Sequence, residues 1–210
     1  MTMPAWMRIA GFASAALTLL VLGAALRPAL LPERHSDAPV LNAVEIGFAQ
    51  DMSVHHQQAL TMAERLDPGA APAVRGLADR MADTQRMEIG TLLGWLRMAG
   101  ATPMPAQHMT WLPAGPHHDQ PSHASALMPG TATVAELDAL SAARGKDAEI
   151  LFLQLMIRHH QGGVAMARAA DALLTNGPVK ESARSMVQQQ GQEIGVLGVL
   201  LAQRGGQPLS

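Results

Sequence analysis

With 210 residues, the chain is long enough for one domain with a hydrophobic core plus an additional segment, and too short for two large domains. It has no Cys and no Tyr, only three Phe and three Trp, and is rich in Ala, Leu, Gly and Met, a composition that favours packed helices over a β-sandwich. The formal net charge is -2, the only lysines are Lys146 and Lys180, and no basic stripe exists that would bind nucleic acid.

The chain opens with Arg8 followed by an uncharged apolar run from Ile9 to Leu26. That length is long for a cleaved signal sequence and just sufficient for a membrane span. Residues 1–30 are therefore expected to export the chain as a signal peptide or a membrane anchor, which makes it extracytoplasmic. "GAA" at Gly23 to Ala25 offers a small-residue cleavage site, but Arg27 follows at once and favours the uncleaved anchor. A membrane is then a partner through this helix. A cysteine-free chain in that compartment has neither disulfides nor thiolate ligands, so a bound metal must be held by His, Met or carboxylate.

Residues 31–41 read as a linker. Asn42 and Glu45 then form the N-cap and N3 positions of a capping box. Apolar residues recur at helical spacing through Ile46, Phe48, Met52, Ala59, Met62 and Leu66, until "DPG" at Asp67 to Gly69 stops the helix. Pro72 suits the first position of a second helix that runs to Gly100 as its C-terminal stop. Residues 42–100 are thus a helical hairpin.

Residues 101–132 form an insert that is too long and Pro-rich for a bundle turn. It carries Met104, His108, Met109, His117, His118, His123 and Met128 among prolines and glycines, a composition suited to capturing metal ions as a mobile scavenger. A solvated linker with incidental histidines is the plainer reading. Thr133 to Glu136 spells another capping box, opening a short amphipathic helix to Gly145.

Residues 133–205 then repeat the first hairpin, leaving 206–210 as a tail. Shifted by 104, Glu45 to Ala63 matches Glu149 to Ala167 at ten of nineteen positions, including both His-His pairs. Shifted by 105, Met81 to Gly100 matches Met186 to Gly205 at eight positions, including Gln85/Gln190 and Glu88/Glu193. This is an internal duplication. One hairpin cannot bury both of its apolar stripes, whereas two facing hairpins can, so residues 42–205 are expected to form one all-α domain, an antiparallel four-helix bundle.

The pairs His55/His56 and His159/His160 border the core-facing stripe of their helices. Adjacent side chains diverge by about 100°, so each pair straddles the seam and reaches two different neighbours. Gln85 and Glu88 share the buried face of the second helix at the same height. The bundle should therefore contain a roughly two-fold symmetric polar layer of four His, two Glu, two Gln and several Met. A buried His satisfied by a Glu, and Met as gap-filler, explain any one of these residues alone. Burying four imidazoles costs desolvation that an apolar core avoids, and this favours a metal site. Imidazole with thioether, without thiolate, suits copper, and Met favours Cu(I).

"FAQDMSVHHQQALTMA" and "FLQLMIRHHQGGVAMA", each preceded by "EI", resemble the signature of the bacterial domain-of-unknown-function family number 305, also called CopM-like. The likeness runs from about Asn42 to Gly205. It implies a ferritin-like four-helix bundle, secreted or membrane-anchored, and a copper role known for some members. On that likeness the candidate ligands are Met52, His55, His56, Met62, Met156, His159, His160 and Met166, and the helical geometry above sets Gln85, Glu88, Gln190 and Glu193 around them.

The chain departs from the family pattern where Glu45 and Glu149 replace the usual Asp, so neither is expected to be a ligand. It departs again where Val54 and Arg158, rather than Pro, precede the pairs. An Arg158 cation would disfavour metal at the second pair and make the two sites unequal.

Two other functions compete with copper binding or buffering. A structural or interaction module of the cell envelope would use the layer only to set helix register. A di-iron oxidase would need Glu-x-x-His on two helices, which is absent. No nucleophile motif such as G-x-S-x-G and no phosphate loop occurs, so no enzyme is expected. The sequence specifies no protein partner.

Overall fold

The structure, a computed structural model, describes residues 14, 16–26, 40–113 and 128–209. Residues 16–26 are helical and exposed. Among the described residues, no helix is long and apolar enough to cross a membrane. Of the segment expected to export or anchor the chain, residues 1–13, 15 and 27–30 lie outside the described residues, as do His117, His118 and His123.

The remainder, Val40–Ser210, is one compact unit, and it is all-helical among the described residues. Its helices are α1 (Ala43–Arg65), α2 (Pro72–Met98), α3 (Val134–Ala142), α4 (Gly145–Leu173) and α5 (Pro178–Gln203). The ends follow local chemistry. Asn42 Oδ1 accepts from the Val44 and Glu45 amides at 2.9 and 3.0 Å, while Glu45 Oε2 accepts from the Asn42 amide at 2.8 Å. Pro72 and Pro178 occupy first helical positions, and Gly100 and Gly205 turn left-handed just past α2 and α5. One boundary differs from expectation. α3 ends at Ala142, and Gly145 opens α4 rather than closing α3, because Asp67 Oδ2 accepts its amide at 2.7 Å and fixes the turn from outside.

α1 pairs with α2 and α4 with α5 as hairpins, and α1 packs on α4. The N-terminal half of α1, with Phe48 and Met52, shares a core cluster with Met166 and Ala170 from the C-terminal half of α4. Its C-terminal half, with Met62 and Leu66, shares the other cluster with Phe152 and Met156. The two helices therefore run antiparallel. Phe48 and Phe152 are fully buried, each contributing about 2–3 kcal/mol of apolar burial. The hairpin ends are duplicated too. Arg75 caps the α1 end through the Ala63, Leu66 and Asp67 carbonyls, as Lys180 caps the α4 end through those of Asp171 and Leu174.

The described ends of the insert are fastened to α1. Asp51, almost fully buried, accepts from His108 Nδ1 at 2.6 Å, the Met109 amide at 2.7 Å and Trp111 Nε1 at 2.9 Å. Trp111 meets Phe48 edge-on, with ring centroids 5.7 Å apart, and lies so close over Gly47 that a Cβ there would come within 2.7 Å of it. At the far end, the Gln58 amide group exchanges two hydrogen bonds with the Ala132 backbone, at 2.7 and 2.9 Å. Gly162 admits this strap, since a Cβ there would sit 1.9 Å from the Pro129 carbonyl oxygen.

Candidate metal centre

The layer assembles where α1 and α4 cross. His55 and His159 stack face to face, centroids 3.8 Å apart, while the rings of each adjacent pair lie 6.4 and 6.1 Å apart and diverge. The divergence expected from helical geometry is therefore observed: one ring of each pair meets its counterpart across the seam. The other turns to its own hairpin. His56 Nε2 donates to Glu88 Oε2 and His160 Nε2 to Glu193 Oε2, both at 2.7 Å. All four rings are buried, while the two carboxylates reach the edge of the protein at 18% exposure.

The inner rings donate to backbone. His55 Nε2 bonds the Pro129 carbonyl at 3.1 Å and His159 Nε2 the His55 carbonyl at 3.0 Å. A carbonyl only accepts, so the proton sits on Nε2 in both. Burial, and then the neighbouring His56, lower the His55 pKa to about 3; complete burial and the adjacent His55 hold His159 well below the usual imidazole range. Both are neutral at physiological pH, with the lone pair on Nδ1.

None of the four Nδ1 atoms has a hydrogen-bond partner among the described residues. Each imidazole thus uses Nε2 for a carboxylate or carbonyl and presents a bare, buried Nδ1. That is the arrangement of a metal-ligating histidine oriented by its outer partner. The side-chain amides of Gln85 and Gln190 are also buried without partners, and Gln190 fits only because a Cβ at residue 163 would lie 2.3 Å from its Oε1. Replacing Gln85 or Gln190 by Met keeps the volume and removes an unpaired amide. Each change should stabilise the metal-free protein by about 1–2 kcal/mol, read as a higher urea midpoint; an unchanged or lower midpoint would mean that the amide is satisfied.

Methionines flank the layer on both sides. Met52, Met166 and Met186 fall in one core cluster, and their duplicated counterparts Met156, Met62 and Met81 in the other. Each His-His motif is therefore separated from its own second methionine, which joins the other repeat's first. Among the described residues, no three or more His, Cys, Asp or Glu converge on a common metal position. A centre here would draw on few imidazoles and on thioethers.

The remaining sequence candidates lie elsewhere. Met104 is exposed, Met128 is buried in the core cluster that also holds Met52, and His108 and Met109 are held by Asp51. The described ends of the insert are thus docked rather than free. Glu45 serves its own cap, and Glu149 accepts from the Ala71 amide at 2.6 Å and from Arg204, so neither points to a metal. The Arg158 expectation needs correction. Its guanidinium grips both oxygens of Glu136 at 2.7 Å, which lowers the Glu136 pKa to about 2 and neutralises the cation. The two halves differ instead because His55 reaches the Pro129 strap where symmetry would offer the His159 carbonyl. Asp51 escaped sequence reasoning, although a charge on the apolar stripe opposite Leu155 in the repeat is a signal.

The family model described as "Domain of unknown function (DUF305)" matches residues 45–201. Solved structures resemble the chain over most of its length. A candidate secreted DUF305 protein from Streptomyces coelicolor is 39% identical, with a TM-score of 0.70 over 80% of this chain and 96% of its own. A DUF305 fragment from Deinococcus radiodurans is 33% identical, with a TM-score of 0.62 over 77% and 97%. CopM in its Cu(II)-bound form is 24% identical, with a TM-score of 0.59 over 76% and 96%, a likeness of fold. A comparison with curated proteins returns no match.

Proposed function

The chain belongs to the DUF305 family, and from that premise we propose that it is an extracytoplasmic protein that binds or buffers copper, chiefly as Cu(I), inside a ferritin-like four-helix bundle. The observation that carries the reading is the set of four buried Nδ1 atoms without partners among the described residues, each on a ring whose Nε2 is already anchored. Leaving four such acceptors in a core costs about 1–3 kcal/mol apiece unless something binds them. A layer that merely set helix register would need the two His–Glu pairs but not the bare nitrogens.

The donor set suits the metal. His55, His56, His159 and His160, no more than two of them at any one ion, would supply imidazole nitrogens, and Met52, Met62, Met156 and Met166 thioether sulfurs, with Glu88, Glu193, Gln85 and Gln190 around them. This soft, cysteine-free set favours Cu(I) over Zn and over the hard ions. Bound copper would be held and shielded from solvent by these side chains, and no residue here is assigned a catalytic step. The Cu(II)-bound CopM structure and the candidate secreted relative support the copper and extracytoplasmic parts. An N-terminal segment that exports or anchors the chain is part of the same proposal.

The test is Cu(I) and Cu(II) binding by the purified protein, set against a variant carrying His55→Ala, His56→Ala, His159→Ala and His160→Ala. Tight binding, with a rise in melting temperature worth about 4 kcal/mol at a thousandfold excess over Kd, is expected only for the wild type. Equal binding by both proteins, or a melting temperature that ignores every metal tried, overturns the reading and favours the structural module. Should the variant not fold, His56→Gln and His160→Gln keep the volume and should still weaken binding by more than tenfold, at about 1.4 kcal/mol per tenfold.

A further inference from the structure

The layer is covered on one side by a strap of the insert, and it comes to the edge of the protein only through its two carboxylates, Glu88 and Glu193. Where α1 meets α4, the strap from Met128 to Ala132 lies over the seam, bonded to His55 and Gln58 and pressed against Gly162. Between α2 and α5 a cleft of about 340 Å³ remains, lined by Leu77, Met81, Thr84, Gln189, Glu193 and Val196. Glu193 joins the two. Its Oε2 accepts from His160 at 2.7 Å, while its Oε1 accepts from the Nε2 of Gln189, another residue of the cleft wall, at 3.4 Å. Met81, buried in the core cluster that holds Met62 and Met156, also forms part of the cleft wall.

We propose that the cleft between α2 and α5 is the passage by which a soft monovalent metal ion reaches and leaves the histidine layer, with Glu193 as the inner gatepost. This rests on the copper reading above. A carboxylate at the edge of the protein with one oxygen on a buried imidazole can take a partly hydrated cation and pass it inward without exposing the layer to bulk water. The thioether of Met81 offers a soft contact on the way. Arg80, also in the cleft wall, opposes the cation and would slow its approach.

The experiment measures Ag(I) uptake by the metal-free full chain, Ag(I) being a redox-inert counterpart of Cu(I), in stopped-flow competition with a chromophoric chelator. Thr84→Trp and Val196→Trp fill the cleft without touching the layer. Both should slow uptake and release by about tenfold at unchanged stoichiometry and affinity. Arg80→Glu should speed uptake severalfold, an advantage that shrinks as salt rises. Wild-type rates in both Trp variants overturn the passage while leaving metal binding intact. Absence of Ag(I) and Cu(I) binding by the wild type overturns the copper reading, and the passage with it.

Discussion

Acidified from pH 7 to pH 4, the metal-free protein should lose stability steeply, at about 1.4 kcal/mol per pH unit for each inner histidine that must be protonated. The folded-state pKa values of His55 and His159 lie below the unfolded value of about 6.5. The folded protein thus binds fewer protons than the unfolded chain. The stability they contribute is fully present above pH 6.5 and declines as the pH falls, levelling off for His55 near pH 3. Because the rings are stacked, protonating one raises the cost of protonating the other.

Glu136 adds to the loss in a lower window. Its pKa is depressed from the ordinary carboxylate value to about 2 by Arg158, so its contribution disappears as the pH falls through that range. Urea midpoints measured from pH 7 to pH 3 check the slope. A flat profile between pH 7 and pH 4 would mean that the inner rings are already charged or accessible. The slope should shrink in His159→Gln, which removes one of the two groups. Bound Cu(I) should raise the curve across this range, and by less as the pH falls toward the His55 value of about 3, where a proton competes with the metal for the same nitrogen.

Asp51→Ala should be the most damaging single polar substitution in the domain, costing about 3–5 kcal/mol. The carboxylate is almost fully buried and accepts three hydrogen bonds from one short stretch of the insert. Its removal leaves the Trp111 indole and the Met109 amide as unpaired donors in a core of fixed shape. The cheapest response is for residues 108–111 to detach, exposing the face of Phe48. A red shift of Trp111 fluorescence and a lower urea midpoint would report this together. His108→Ala should cost much less, because its ring is a quarter exposed and the other two donors stay paired. Equal effects of the two substitutions would contradict the central role given to Asp51.

Much of this molecule is local in origin, and that part was legible. Asn42 with Glu45, Thr133 with Glu136, and Pro72 and Pro178 set helix starts through groups within three residues of each other. The register of the duplication placed Glu88 beside His56 and Glu193 beside His160, since a helical period carries height and facing across a hairpin. Gly145 was misread as a stop because its helix start is fixed by Asp67, from another turn.

The sequence by itself determined the all-helical class, the two repeated hairpins and the identity of the polar layer. Each follows from short-range hydrogen bonding and from the 3.6-residue period, which act within one segment. Only the tertiary structure decided which imidazole nitrogen is left bare, that His55 stacks on His159, that Asp51 clasps the insert and that Glu136 neutralises Arg158. These contacts join residues 22 to 104 positions apart. Their geometry depends on how the hairpins approach and on where the strap enters the seam, and the pattern of any one helix does not encode either.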